Sequence, residues 1–167
     1  MFKASLGKSV KITTFIFVGF FLLIDIVLMG LFIVSLFEEP FDRKSIMLPI
    51  VAFGLLYWAF AGRTIGYEIL KEGVKILKGN DCELIKKDTI LEVKTLDYSD
   101  LRFSIRTFGN GGIFGFSGSF RNKKFGDMTW NFTRKDRLVM IVTQKQKFVM
   151  SPDDKELFII KVSELIK

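Results

Sequence analysis

The chain has 167 residues, 49% of them hydrophobic, and a formal net charge of +7. It contains no histidine and one cysteine, Cys82, which excludes imidazole catalysis, Cys/His zinc sites and an internal disulfide. Apolar residues and charge are both unevenly spread: from Ile12 to Phe37 the only ionisable residue is Asp25, whereas from Arg102 to Lys147 ten Lys or Arg face only Asp127 and Asp136, a local excess of +8.

In chain order, Ile12–Phe37 is the first predicted element. At ~1.5 Å per residue it is long enough, as a helix, to cross a hydrocarbon core of ~30 Å. No small-residue cleavage site follows it, so a retained span is expected rather than a signal peptide. Glu38 to Lys44 then reads as a short polar turn in which Pro40 ends the helix, and Ile46–Gly62 reads as a return span with Tyr57 and Trp58 at an interface and Arg63 at the exit. Residues 1–62 thus form a transmembrane helical hairpin and 63–167 a separate folded domain. Lys3, Lys8, Lys11, Arg63, Lys71, Lys75 and Lys78 flank the outer ends of the two spans, against Arg43 and Lys44 in the turn. That bias predicts cytoplasmic N- and C-termini.

Asp25 falls near the middle of the first span, where a charge costs at least ~2.5–3.5 kcal/mol on insertion scales. The expectation is a neutral carboxyl, hydrogen-bonded either within the helix pair, for example to Tyr57, or across an oligomer interface. Gly54, in the second helix, would allow close approach.

After Gly62 the apolar period changes to two. Ile65, Tyr67 and Ile69 alternate, as do Val74 and Ile76, around a hairpin turn at Lys71-Glu72-Gly73. Further strands are predicted at Ile90–Leu96, Leu101–Phe108, Met128–Thr133, Leu138–Thr143 and Lys147–Met150. About seven evenly spaced short strands predict an antiparallel sandwich or barrel. At the carboxyl end, Ser151-Pro152-Asp153-Asp154 predicts a helix start with Ser151 as its cap, and Leu157, Ile160, Val162, Leu165 and Ile166 form an apolar face suited to closing a barrel.

Arg106 to Gly118, with its five glycines between Gly109 and Gly118, followed by Ser151 to Asp154 and Phe158, resembles the bacterial pleckstrin-homology (PH) domain proteins that carry two amino-terminal membrane helices. The resemblance spans about residues 63–167. It implies a mainly-β PH-like barrel capped by a C-terminal helix, placed at the inner face of a bacterial plasma membrane by a two-helix hairpin.

The glycine-rich stretch is not a nucleotide loop, because it neither opens a helix nor ends in Gly-Lys-Ser/Thr. It reads either as a long hairpin connection or as an apolar tip in which Phe114 and Phe116 enter the lipid interface. Arg106, Arg121, Lys123 and Lys124, and a second cluster of Arg134, Lys135 and Arg137, are the candidate cations for lipid or partner binding. If 116–120 and 128–133 pair, the two clusters fall at opposite ends of a hairpin. The turn that carries inositol-phosphate ligands in PH domains has only Lys71, opposed by Glu72, so specific phosphoinositide recognition is not expected. No nucleophile–base pair is evident, and no cofactor, metal or nucleic-acid partner is expected. Two functions follow. One is a non-enzymatic membrane-anchored binding module for anionic phospholipid headgroups or a protein partner. The other is an accessory subunit or homo-oligomer assembled through Asp25, Gly54 and Tyr57, or through sheet edges.

Overall fold

The computed structural model describes residues 1–37 and 47–167. The chain begins with a short strand, β1 (Phe2–Lys3), followed by two helices, α1 (Lys8–Ser35) and α2 (Met47–Ala61). Nine strands come next: β2 (Thr64–Leu70), β3 (Gly73–Lys78), β4 (Cys82–Lys86), β5 (Ile90–Leu96), β6 (Ile105–Gly111), β7 (Phe116–Asn122), β8 (Gly126–Phe132), β9 (Leu138–Thr143) and β10 (Lys147–Met150). Helix α3 (Lys155–Ile166) ends the chain.

Helix α1 has 28 residues and is long and apolar enough to cross a membrane; α2, with 15, is a shorter apolar helix. The predicted polar turn from Glu38 to Lys44, with Pro40, lies outside the described residues. The first turns of α1 belong to the domain rather than to a span, since Val10 and Thr14 are buried while Phe15, Ile16 and Phe17 are exposed. From Phe15 to Ser35 the helix keeps about 30 Å of length at ~1.5 Å per residue, close to one hydrocarbon thickness.

The strands form two sheets, of order β1-β2-β3-β4 and β5-β9-β10-β8-β7-β6. The expectation of about seven antiparallel strands is corrected in three ways. β1 and β4 were not anticipated and β7 was only raised as a condition, Leu101–Phe108 is a 3-10 turn (Tyr98–Leu101) followed by β6, and β10 inserts between β9 and β8, running parallel to β8. The parallel pair follows from the connection after β8, which passes over the place that β10 takes. Such pairing leaves no local signal in the sequence.

The middle of the larger sheet is buried on both faces. Along β9, Val139 and Ile141 enter a core with Tyr67, Val74 and Ile76 of the smaller sheet and Phe158 and Val162 of α3, whereas Leu138 and Met140 enter a second core with Trp130, Phe132 and Val149. This explains why β9 reads as a continuous apolar run rather than an alternating one. Tyr67 joins the sheets: its hydroxyl donates to the Asn131 carbonyl at 2.7 Å and accepts from the Ser151 N–H at 3.0 Å. Burial pushes its phenol well above the usual range.

Ser151 is therefore not the helix cap predicted for it. It is fully buried and its hydroxyl accepts from the Thr133 N–H at 2.9 Å. The cap is Asp154, whose carboxylate accepts from the Leu157 N–H at 3.1 Å.

Candidate functional site

The distinctive region of this molecule is the place where the two apolar helices root in the β domain. The seven residues before α1 are part of the domain. β1 pairs with β2 in the register Phe2↔Tyr67, which brings the Phe2 carbonyl against Gly66, where any Cβ would lie 2.6 Å from that oxygen. Phe2 sets its ring edge-on to Phe158 at 5.2 Å. The Ser5 hydroxyl and N–H both donate to the Asp153 carboxylate, the Asp153 N–H donates to the Lys3 carbonyl, and the Gly7 N–H donates to the Thr133 carbonyl. A domain boundary at residue 62 is thus too simple, because residues 1–7 complete the fold that begins at Thr64.

The returning end is fixed as firmly. The Arg63 guanidinium donates to the Phe60 carbonyl at 2.9 Å and lies 3.6 Å over the Phe60 ring, closing the C-terminus of α2. The Gly79 N–H donates to the Arg63 carbonyl at 2.9 Å.

The glycine-rich stretch forms most of the β6–β7 hairpin rather than a long connection. Gly109 and Gly118 face each other across the strands with φ of +113° and +118°, and a Cβ on Gly109 would meet the Ser117 carbonyl oxygen at 2.1 Å. The turn at 112–115 leans on the helix root. The Phe114 N–H donates to the Thr14 hydroxyl at 2.8 Å, and its ring packs edge-on to Phe60 at 5.3 Å. Phe114 holds φ +59°, a costly conformation for a bulky residue, and these contacts hold it there. Phe116 stacks on Phe132 at 4.7 Å within the second core. Both rings are half-buried, so neither forms the exposed tip that is one of the two readings of this stretch. Exposed apolar side chains on and just before β6 are instead Phe103, Ile105 and Phe108, at 95%, 72% and 70% exposure.

The two cationic clusters do lie at opposite ends of the β7–β8 hairpin, with Arg121, Lys123 and Lys124 at its turn and Arg134, Lys135 and Arg137 after β8. The second cluster sits by the root of α1, where the Cβ of Arg134 comes within 2.8 Å of a Cβ built on Gly7. Most of these cations have partners inside the fold. Arg134 bridges Asp136 at 2.8 Å and Asp153 at 3.1 Å, Arg137 donates to the Asp153 carbonyl, and Lys135 lies 4.4 Å over Tyr98. Asp136 holds the Arg134 guanidinium above its usual range. Burial alone would raise the Asp153 carboxyl, but Ser5 and Arg134 outweigh it and hold it below the usual carboxylate range. Arg121 pairs with Asp127 and Lys124 with Asp100. Among the described residues Arg106 and Lys123 make no ion pair or hydrogen bond.

Within the helix pair, Asp25 lines an open groove of about 390 Å³ with Met29, Phe32, Pro49, Ile50 and Phe53, and its buried Oδ1 has no hydrogen-bond partner among the described residues. Tyr57 is 63% exposed and does not reach it. Gly54 faces open space, so it is not where α1 and α2 approach each other.

A family model described as "Bacterial PH domain" matches residues 65–166, which covers β2 but for Thr64, every strand from β3 to β10 and all of α3. No curated protein and no solved structure matches the chain. The matched region is well over half of the chain, and the protein belongs to the bacterial PH domain family.

Proposed function

We propose that this protein is a non-enzymatic binding module held at the inner face of the plasma membrane by two spans, with anionic lipid headgroups meeting its basic surface. The observation that carries the reading is topological. The chain enters α1 from Gly7, whose N–H donates to the Thr133 carbonyl at the end of β8, and leaves α2 into Arg63, whose carbonyl accepts from the Gly79 N–H at the end of β3, so both ends of the helix pair are held by the same domain. If α1 crosses the bilayer, the segment that follows must cross back, although α2 alone is ~22 Å long at ~1.5 Å per residue. Lys8 and Lys11, exposed on the first turns of α1, then lie at headgroup level on the side favoured for cations.

Cys82 is the chain's single cysteine and is exposed, so it reports the side on which the domain lies. A membrane-impermeant maleimide should label it only after intact cells are permeabilised; labelling in intact cells rejects the orientation. For the headgroup contact, the full chain is placed in nanodiscs of phosphatidylcholine with or without phosphatidylglycerol. Trypsin cleavage after Arg102 and Lys123 should be slower with the anionic lipid, and the difference should fade in high salt. Equal rates reject the headgroup contact.

A second reading, an accessory subunit assembled within the membrane, is favoured by Asp25. A carboxyl oxygen without a hydrogen-bond partner in an apolar groove is costly, and a neighbouring chain that supplies a polar group removes that cost. Asp25→Leu should then lower the mass of the complex in detergent, and an unchanged mass sinks this version.

A further inference from the structure

A groove of about 210 Å³ lies between the helix pair and the β6–β7 hairpin. One wall is apolar, built by Phe21 of α1 and Leu55, Leu56 and Trp58 of α2. Leu55 and Leu56 stand six and five residues before Ala61, so this wall rises about 8–9 Å up the helix at ~1.5 Å per residue. The other wall is the hairpin, and its one charged group is Arg106. Asn110 is also there, but its amide closes the turn by bonding both the N–H and the carbonyl of Ile113. The Arg106 guanidinium extends along the strand toward the hairpin turn, with Nη1 2.9 Å from a Cβ built on Gly111.

Arg106 also lines a second cavity, of about 540 Å³, together with Tyr98, Arg102, Phe103 and Trp130. Trp130 is 4% exposed, and its indole N–H has no acceptor among the described residues. Arg106, without a counter-anion among the described residues, is thus shared by an apolar groove and a cavity rimmed by a second arginine. An exposed guanidinium free of a counter-anion beside an apolar wall is complementary to an amphiphile that carries an anionic group, and a phosphodiester suits its fork of donors.

We propose that this juxtaposition is a binding site for one anionic phospholipid, its acyl chain on Phe21, Leu55 and Leu56, its phosphate on Arg106, and its headgroup toward Arg102 and Trp130. The site rests on the membrane-anchored reading above, because the apolar wall must face the bilayer. It adds a defined stoichiometry and a single anchoring residue.

The test uses the full chain in mild detergent, titrated with phosphatidylglycerol, phosphatidylcholine of the same chains, or glycerophosphoglycerol, which has the headgroup without chains. Native mass spectrometry reads the bound lipid. One phosphatidylglycerol should be retained per chain, with phosphatidylcholine weaker and glycerophosphoglycerol unable to compete. Loss of a charge-assisted hydrogen bond in Arg106→Gln should weaken retention by about tenfold or more. Leu56→Trp, which fills the groove, should weaken it too, while Arg106→Lys should keep part of it. Arg106 is exposed and without a partner in the fold, so its variants are expected to fold normally. Equal retention of the two lipids, unchanged retention in Arg106→Gln, or full competition by the chain-free headgroup would each overturn the proposal. Because the readout is in detergent, it is independent of the nanodisc cleavage test: that contact fails while the site stands if cleavage rates are equal yet retention still depends on Arg106.

Discussion

Single side chains carry the joint between the sheets and the joint between the helices and the domain. Tyr67 satisfies a buried carbonyl of Asn131 and a buried N–H of Ser151 with one hydroxyl. Tyr67→Phe leaves both unpaired, at a cost of about 1–3 kcal/mol for each buried group, so the thermal midpoint should fall clearly without any change of fold by circular dichroism. Asp153 does the corresponding work for the N-terminal segment, with Ser5 and Arg134 holding its carboxyl below the usual range. A depressed carboxylate contributes stability that is present above its unfolded value, about 3.9, and is lost as pH falls through the lower folded value. Proteolytic release of residues 1–7 should therefore rise on acidification below about pH 4. In Asp153→Asn that segment should be loose at neutral pH already, with little further change in acid. A wild-type segment equally protected at low pH would remove this role.

Among the elements, the β6–β7 hairpin depends most on particular residue types. The φ of Gly109 and the 2.1 Å approach of its would-be Cβ to the Ser117 carbonyl oxygen leave no room for a side chain. Gly109→Ala should separate the two strands locally, with hydrogen exchange of the β6 amides accelerated by about tenfold or more and β9 unaffected. Acceleration confined to the turn at 112–115 would contradict the paired-strand account. From the sequence these glycines read as a hairpin connection or as the flanks of an apolar tip, because positive φ is equally expected in loops and in closely apposed strands. The limits of β5, β9 and β10 follow from apolar runs between polar breaks, and the structure keeps them residue for residue. β1 and β4 gave no comparable signal. β1 spans two residues, and the Cys82–Lys86 strand has only Ile85 buried.

At the scale of the whole molecule, the β domain is assembled from both sides of the helices. Residues 1–7 supply an edge strand, the Phe2 contact on Phe158 and the bonds to Asp153 and Thr133. Deleting residues 2–7 from the full chain should therefore lower the stability of a domain that lies more than fifty residues away in sequence. Phe2 is half-buried, so losing its apolar contact is expected to cost less than the ~1.5–3 kcal/mol of a fully buried side chain. A deletion variant that melts with the wild type would show the segment to be ornamental. This dependence explains why the helices and the domain behave as one unit here: the chain is pinned to the sheets on entering α1 and on leaving α2.

The membrane-compatible helix, the β character of residues 64–150, the capped C-terminal helix and the basic stretch from Arg102 to Lys147 were all determined by the sequence alone, because composition and periodicity act over a few residues. Only the tertiary structure decided which cations have partners. Arg121, Lys124, Arg134 and Arg137 find acidic or carbonyl groups between 2 and 24 residues away, whereas Arg106 does not. It likewise decided that Phe114 and Phe116 turn inward, that β10 lies between β9 and β8, and that the first seven residues join the domain. Apart from the short-range pairs Arg134–Asp136 and Arg121–Asp127, these are contacts between segments far apart in the chain, and the energy that selects them arises only once those segments meet.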